Sequence, residues 1–198
     1  MNREGLLRSV AETAYNVGFG AKKNFATHDI VQKIPGLISF VSIVVGVYAL
    51  IYEPLNSKWI AATLVVLGIV GLYITQYDSR KEAYSREGER LTALFYRLRD
   101  LYREIEARAN DDDLTTQRAS LDLIQQEFFS AGESKQILFS DWYAHYKFFW
   151  QHQIEWIDEQ KQFRFWRDRV PLSFSLTVGA LLLGLSTAAV WLALRASS

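Results

Sequence analysis

Three long stretches without a charged residue frame the chain: Gly36 to Tyr52 (17 residues), Trp59 to Tyr77 (19) and Val170 to Leu194 (25). As helices rising about 1.5 Å per residue, each is long enough to cross a hydrocarbon core of about 30 Å. Three such runs in 198 residues leave too little amphipathic sequence to cover them as buried core helices, so the pattern predicts membrane spans. The first follows 35 mostly polar residues that contain no basic n-region and small-residue cleavage site, and no cleaved leader is expected. Six residues, Glu53 to Lys58, join the first two runs and predict a tight antiparallel hairpin. Pro35, Pro54 and Pro171 all lie at run edges, where they are expected to punctuate the spans.

The polar segments carry a different period. Leu7, Val10, Ala14, Val17, Ala21 and Phe25 recur at steps of three and four and predict an amphipathic helix over 6–27, lying along the leaflet or packed on the soluble part. After the hairpin, Tyr84, Gly88, Leu91, Phe95, Leu98, Tyr102 and Ile105 alternate steps of four and three, a coiled-coil-like extension of the second span. Asn110 to Asp113 break it, and Asp113, Thr115 and Thr116 are caps for a helix carrying Leu121, Leu123, Ile124, Phe128 and Phe129. From Lys135 to Val170 no helix breaker occurs, and 11 of the 36 residues are aromatic. One helical face cannot hold them, which predicts packing between subunits in a homo-oligomer, taken as a tetramer.

The expected fold is therefore an all-α integral membrane protein. It comprises an N-terminal amphipathic helix (1–33), a transmembrane hairpin (34–77), a helical, coiled-coil-like cytoplasmic domain (78–169), a third C-terminal transmembrane helix (170–194) and a short outer tail (195–198).

Charge orients this arrangement. Lys and Arg number 22 against 22 Asp and Glu, so no global basic field drives nucleic-acid binding. Twenty of the 22 cations lie in 1–33 and 78–169, leaving Lys58 and Arg195 elsewhere. The positive-inside rule then puts the N-terminus and the middle in the cytoplasm of a cell whose inner membrane holds the spans, with the C-terminus outside.

Candidate chemistry is sparse. Without cysteine there is no disulfide, thiol nucleophile or iron–sulfur ligand. His145 and His152 stand seven apart, about 10.5 Å along a helix and too far to share one metal. His28 lacks a third ligand, Asp111 to Asp113 lack the alternation of a calcium loop, and Gly18-Phe-Gly20 lacks a third glycine and a preceding strand. Neither an enzyme nor a cofactor is expected. Lys161, Arg164, Arg167 and Arg169, interleaved with Phe163, Phe165 and Trp166, suit either an anchor to lipid phosphates or a nucleotide whose base stacks on Phe163 or Trp166. Lys22 and Lys23 are a second candidate phosphate site. In the third run Ser173, Thr177, Ala180, Gly184, Thr187, Ala188 and Trp191 share one sector, a stripe for close helix packing or for lining a pore.

The segments Ala14-Tyr15-Asn16-Val17-Gly18 and Ala21-Lys22-Lys23-Asn24-Phe25, the proline-started hairpin and the charged helix opening Asp78-Ser79-Arg80-Lys81-Glu82 together resemble the SLATT domain. That family comprises SMODS- and SLOG-associating two-transmembrane effectors of bacterial defence. The resemblance, over about residues 6–110, implies a membrane effector forming a pore, controlled by a nucleotide or oligonucleotide signal from a partner nucleotidyltransferase, with arrest or death of the infected cell as output. The leading expectation is thus an oligomeric ion-conducting effector, ahead of a non-conducting membrane scaffold that docks a soluble partner through its cytoplasmic helices.

Overall fold

The computed structural model describes residues 2–196 apart from 110, 111, 131, 133, 134, 152, 153, 164–167 and 169, with the backbone alone at 151, 181, 185 and 188–196. The described residues form seven α-helices and no strand: α1 (Arg3–Tyr48), α2 (Lys58–Thr75), α3 (Lys81–Glu106), α4 (Thr115–Ser130), α5 (Ser140–Gln151), α6 (Glu155–Lys161) and α7 (Leu172–Ala196).

The amphipathic N-terminal segment and the first apolar run are one helix. α1 is 46 residues long, about 69 Å, and passes through Pro35 without ending, so no structural break marks residues 33 and 34. Pro35 removes one backbone hydrogen bond, but at the edge of a hydrocarbon phase a helix is the conformation that satisfies all the others. Pro35 therefore does not act as punctuation, whereas Pro54 sits in the 3-10 turn Glu53–Leu55 between the spans and Pro171 precedes α7. Ser57 caps α2 by accepting from the Ile60 N–H at 3.3 Å. A second 3-10 turn, Asp78–Arg80, joins α2 to α3, so α1 faces an equally long helical partner.

The apolar halves of these partners are almost wholly exposed, while their polar halves hold the core. Leu7, Val10, Ala14, Val17 and Ala21 of α1 are buried against Leu91, Leu94, Phe95, Leu98 and Ile105 of α3. The N-terminal amphipathic helix thus packs on the helical bundle rather than standing apart from it. Arg3 fastens its start to the end of α3, donating to the carbonyls of Ile105 (3.1 Å) and Glu106 (2.6 Å). α4, which Asp113 starts by accepting from the Thr115 N–H and hydroxyl, is held to α1 by Gln125 donating to Thr13 (2.9 Å).

The aromatic segment is two helices, not one. Phe139 (φ 67°) precedes α5, Ile154 turns inward to start α6, and Gln162 (φ 49°) ends it. This division lets the rings bury in separate directions: Phe148 and Phe149 reach Tyr15, Phe19 and Phe163, while Trp156 lies against Phe95 and Tyr102. Much of the aromatic surplus is therefore absorbed within one chain, and Tyr146 and Trp150 stay exposed.

Candidate coupling site at the base of the hairpin

Where the apolar halves of α1 and α2 meet the bundle, a second small core forms from Val31, Ile74, Tyr77, Tyr84 and Ile137. The first four belong to the two long partners. Ile137 comes from the connector between α4 and α5, which threads across the joint.

Polar contacts hold that connector in register. Gln136 accepts from the Thr27 hydroxyl at 2.5 Å and donates to Asn24 Oδ1 at 3.3 Å, and Asn24 in turn donates to the Gly20 carbonyl. Thr27 and Asn24 are buried, so these bonds satisfy groups that water does not reach. On the other partner the Tyr84 hydroxyl donates to the Lys135 carbonyl at 2.5 Å, and the Lys135 ammonium lies 5.2 Å from the Tyr77 ring centre. Three consecutive residues thus bind α1, α2 and α3 at one level.

α5 extends the collar. Lys147 donates to Asp29, which also pairs with Lys33 at 2.7 Å, and Asp141 pairs with Lys23 at 2.8 Å. Burial acts to raise the Asp29 pKa, but the hydrogen bonds and charges of Lys147 and Lys33 prevail and hold its carboxyl below the ordinary value. Lys22, half-buried beside them, is pushed below the usual lysine range by burial first and by the Lys147 charge second. At its start α5 reaches α7: Trp142 Nε1–H donates to Ser173 Oγ at 2.9 Å, and its ring meets Phe174 edge-on at 5.3 Å. All three apolar helices are therefore tied to the bundle through residues 135–147.

The residues singled out from sequence fall as follows. Lys161 lies 4.9 Å from the Tyr15 ring centre, and Phe163 packs on Tyr15 and Phe149, so its ring is engaged in the core. Arg164, Arg167, Arg169 and Trp166 lie outside the described residues. Lys22 and Lys23 are at the collar, with Lys23 paired to Asp141. Ser173 is bound by Trp142, while the Thr177 and Thr187 hydroxyls donate to the Ser173 and Gly184 carbonyls of their own helix. Ala180 and Gly184 are exposed, and the Trp191 and Ala188 side chains lie outside the described residues. His145 stacks on Phe149 and meets Phe19 edge-on, with Nδ1 buried and unpartnered, and His152 lies outside the described residues. A cavity of about 220 Å³ lies far from the collar, beside Arg3, Asp112, Asp113 and Arg118; its mixed charges give it no preference for an anion.

Sequence reasoning missed the collar because its members are isolated in the chain. Gln136 and Ile137 have no motif around them, and only the return of the connector to the hairpin gives them partners distant in the chain, 109 and 112 residues away for Gln136.

No curated protein and no solved structure matches the chain. A family model, SMODS and SLOG-associating 2TM effector domain 6, matches residues 1–178. The match takes in the whole bundle as well as the hairpin, so α3 to α6 are part of the domain, and only the later part of α7 extends past it. With the two long partners and their bare apolar halves accounted for in this way, the chain belongs to the SLATT family of two-transmembrane membrane effectors associated with defence systems.

Proposed function

We propose that the chain is a homo-oligomeric effector that conducts ions across the bacterial inner membrane, and that the collar passes the state of the bundle to the spans. The observation that carries this reading is the bareness of the apolar halves. A Cβ on Gly46 or Gly68 would meet nothing within 4 Å, so these small-residue positions of the hairpin are unused within one chain, whereas Gly71 faces Ile38. One hairpin encloses no path, whereas several copies packed on these faces would. α7, 25 residues and uncharged until Arg195, serves in this reading as a third span. The distribution of Lys and Arg favours a cytoplasmic bundle and an outer C-terminus. No span carries an internal charge, which favours a passage gated by wetting over a proton relay.

Control belongs to the cytoplasmic side. SMODS and SLOG partners, named by the family description, favour a nucleotide signal made by an associated nucleotidyltransferase. The half-buried Lys22 beside Lys147, together with Lys161, supplies cations for its phosphates. The reading gives the chain no catalytic step of its own.

The test is ion flux from liposomes holding the purified full chain, with and without the nucleotide products of the partner enzyme. Flux that answers to the nucleotide supports the proposal. A second reading, a non-conducting scaffold, is favoured by exposed Leu123 and Phe129 on α4, where a soluble partner would dock. Tight liposomes with a bound partner would favour it.

A further inference from the structure

We propose that the Leu138–Phe139 turn, backed by Trp142, is a membrane-dipping element inserted into the lipid interface on the bundle side. The inference rests on membrane insertion of the hairpin and is independent of conduction.

Four observations place it there. First is level: Ile137, the preceding residue, belongs to the small core with Val31, Ile74, Tyr77 and Tyr84, at the end of the apolar halves of α1 and α2. Second is exposure. Ile137 and Ser140 are 3% and 1% exposed, yet Leu138 and Phe139 between them are 62% and 54% exposed. Third is backbone: Phe139 has φ 67°, a left-handed conformation that a bulky side chain rarely takes. Its ring touches Trp142 at 4.8 Å but is otherwise turned outward, so packing within the chain does not repay that conformation. Fourth is continuity. Trp142 bridges Phe139 to Phe174, extending the patch onto the first turn of α7, and exposed Lys135, three residues before Leu138, is available to lipid phosphates.

Lipid is the occupant these features favour. The patch continues the apolar surface of the hairpin and shares its level, whereas a second copy would have to meet the turn in the headgroup layer. Aromatic rings with a polar handle, such as Trp142, are suited to that layer.

The natural chain has no cysteine, so single probes can be placed cleanly. Leu138→Cys and, as a still more exposed control on α4, Phe129→Cys (79% exposed against 62%) would carry an environment-sensitive fluorophore in the full chain. Each would be reconstituted in vesicles of phosphatidylethanolamine and phosphatidylglycerol containing a lipid with a nitroxide near its headgroup. The proposal expects the probe at 138 to be quenched at least threefold more than the probe at 129, and Phe139→Asn in the same background to reduce that quenching while thermal unfolding in detergent is unchanged. Asparagine tolerates the left-handed conformation, which separates anchoring from folding. Equal quenching at 138 and 129 would overturn the proposal, as would strong disulfide capture of Phe139→Cys by its counterpart in another copy with no nitroxide quenching.

Discussion

The ring of Phe25 occupies the place where a side chain on Gly88 would stand: a Cβ there would be 2.8 Å from Phe25 Cε1. The contact has a reciprocal seven residues along each helix, where a Cβ on Gly18 would be 2.8 Å from Phe95 Cδ2. Each helix thus offers one ring and one gap to the other. Together they fix the antiparallel register of α1 and α3, and through those rigid helices the height of both spans.

Filling either gap should therefore be costly. Gly88→Val forces the Phe25 ring off its seat, and overpacking of this kind costs about 1–3 kcal/mol. Thermal unfolding in detergent should fall accordingly, with partial recovery on adding Phe25→Ala. A parent-like melting temperature for Gly88→Val would mean that the helices are not held by this contact.

Loosening the collar should act locally. Gln136→Ala removes the partner of the Thr27 hydroxyl and of Asn24 Oδ1, both on buried residues, and leaving such groups unpaired costs about 1–3 kcal/mol. Hydrogen exchange should rise over 24–34 and 74–84 while 91–105 stays protected. A uniform rise along the whole chain would show that the connector supports the fold as a whole and not the joint.

Acid sensitivity should have an identifiable source. Burial lowers the pKa of His145, partly opposed by Asp141, so the folded state takes up a proton less readily than the unfolded chain. Stability from this residue is complete above the unfolded value of about 6.5 and declines as pH falls below it, until the folded form also protonates. His145→Phe keeps the ring contacts with Phe19 and Phe149, removes the orphaned Nδ1 and should flatten the stability profile below about pH 6.5. An unchanged slope would place the titrating group elsewhere. Asp29, with its pKa lowered, contributes above its unfolded value of about 3.9 and loses that contribution as pH falls further.

A charge scan of α7 separates its faces. Gly184 and Leu182 are both exposed in one chain, but only Gly184 lies on the stripe with Thr177 and Thr187. A midplane charge facing lipid costs about 2.5–3.5 kcal/mol, whereas one in a wetted passage is solvated. Gly184→Asp should alter conductance and Leu182→Asp should impair insertion. The opposite pattern would assign the passage to the hairpin.

The hairpin and the α1 and α3 faces were legible because each is a periodic pattern repeated over many residues. Leu7 to Ala21 and Leu91 to Ile105 name the two sides of the main core, and Asp113 marks the start of α4. Two features were not legible. Pro35 signals a boundary by local rules, yet the long helix passes through it. The 135–170 segment contains no proline and only strong side chains, but burial of Ile154 and the positive φ of Phe139 and Gln162 divide it. The break at Ile154 comes from tertiary packing, which no local pattern encodes.

The most direct test of the account is potassium efflux from liposomes reconstituted with the full chain and with Gln136→Ala, insertion being verified by thiol labelling of Ser57→Cys. The account predicts that efflux, measured with and without the nucleotide products of the partner enzyme, exceeds that of empty liposomes in at least one of the two conditions, and that Gln136→Ala raises it because the collar no longer restrains the spans. Liposomes that stay tight with both proteins inserted and oligomeric would contradict it.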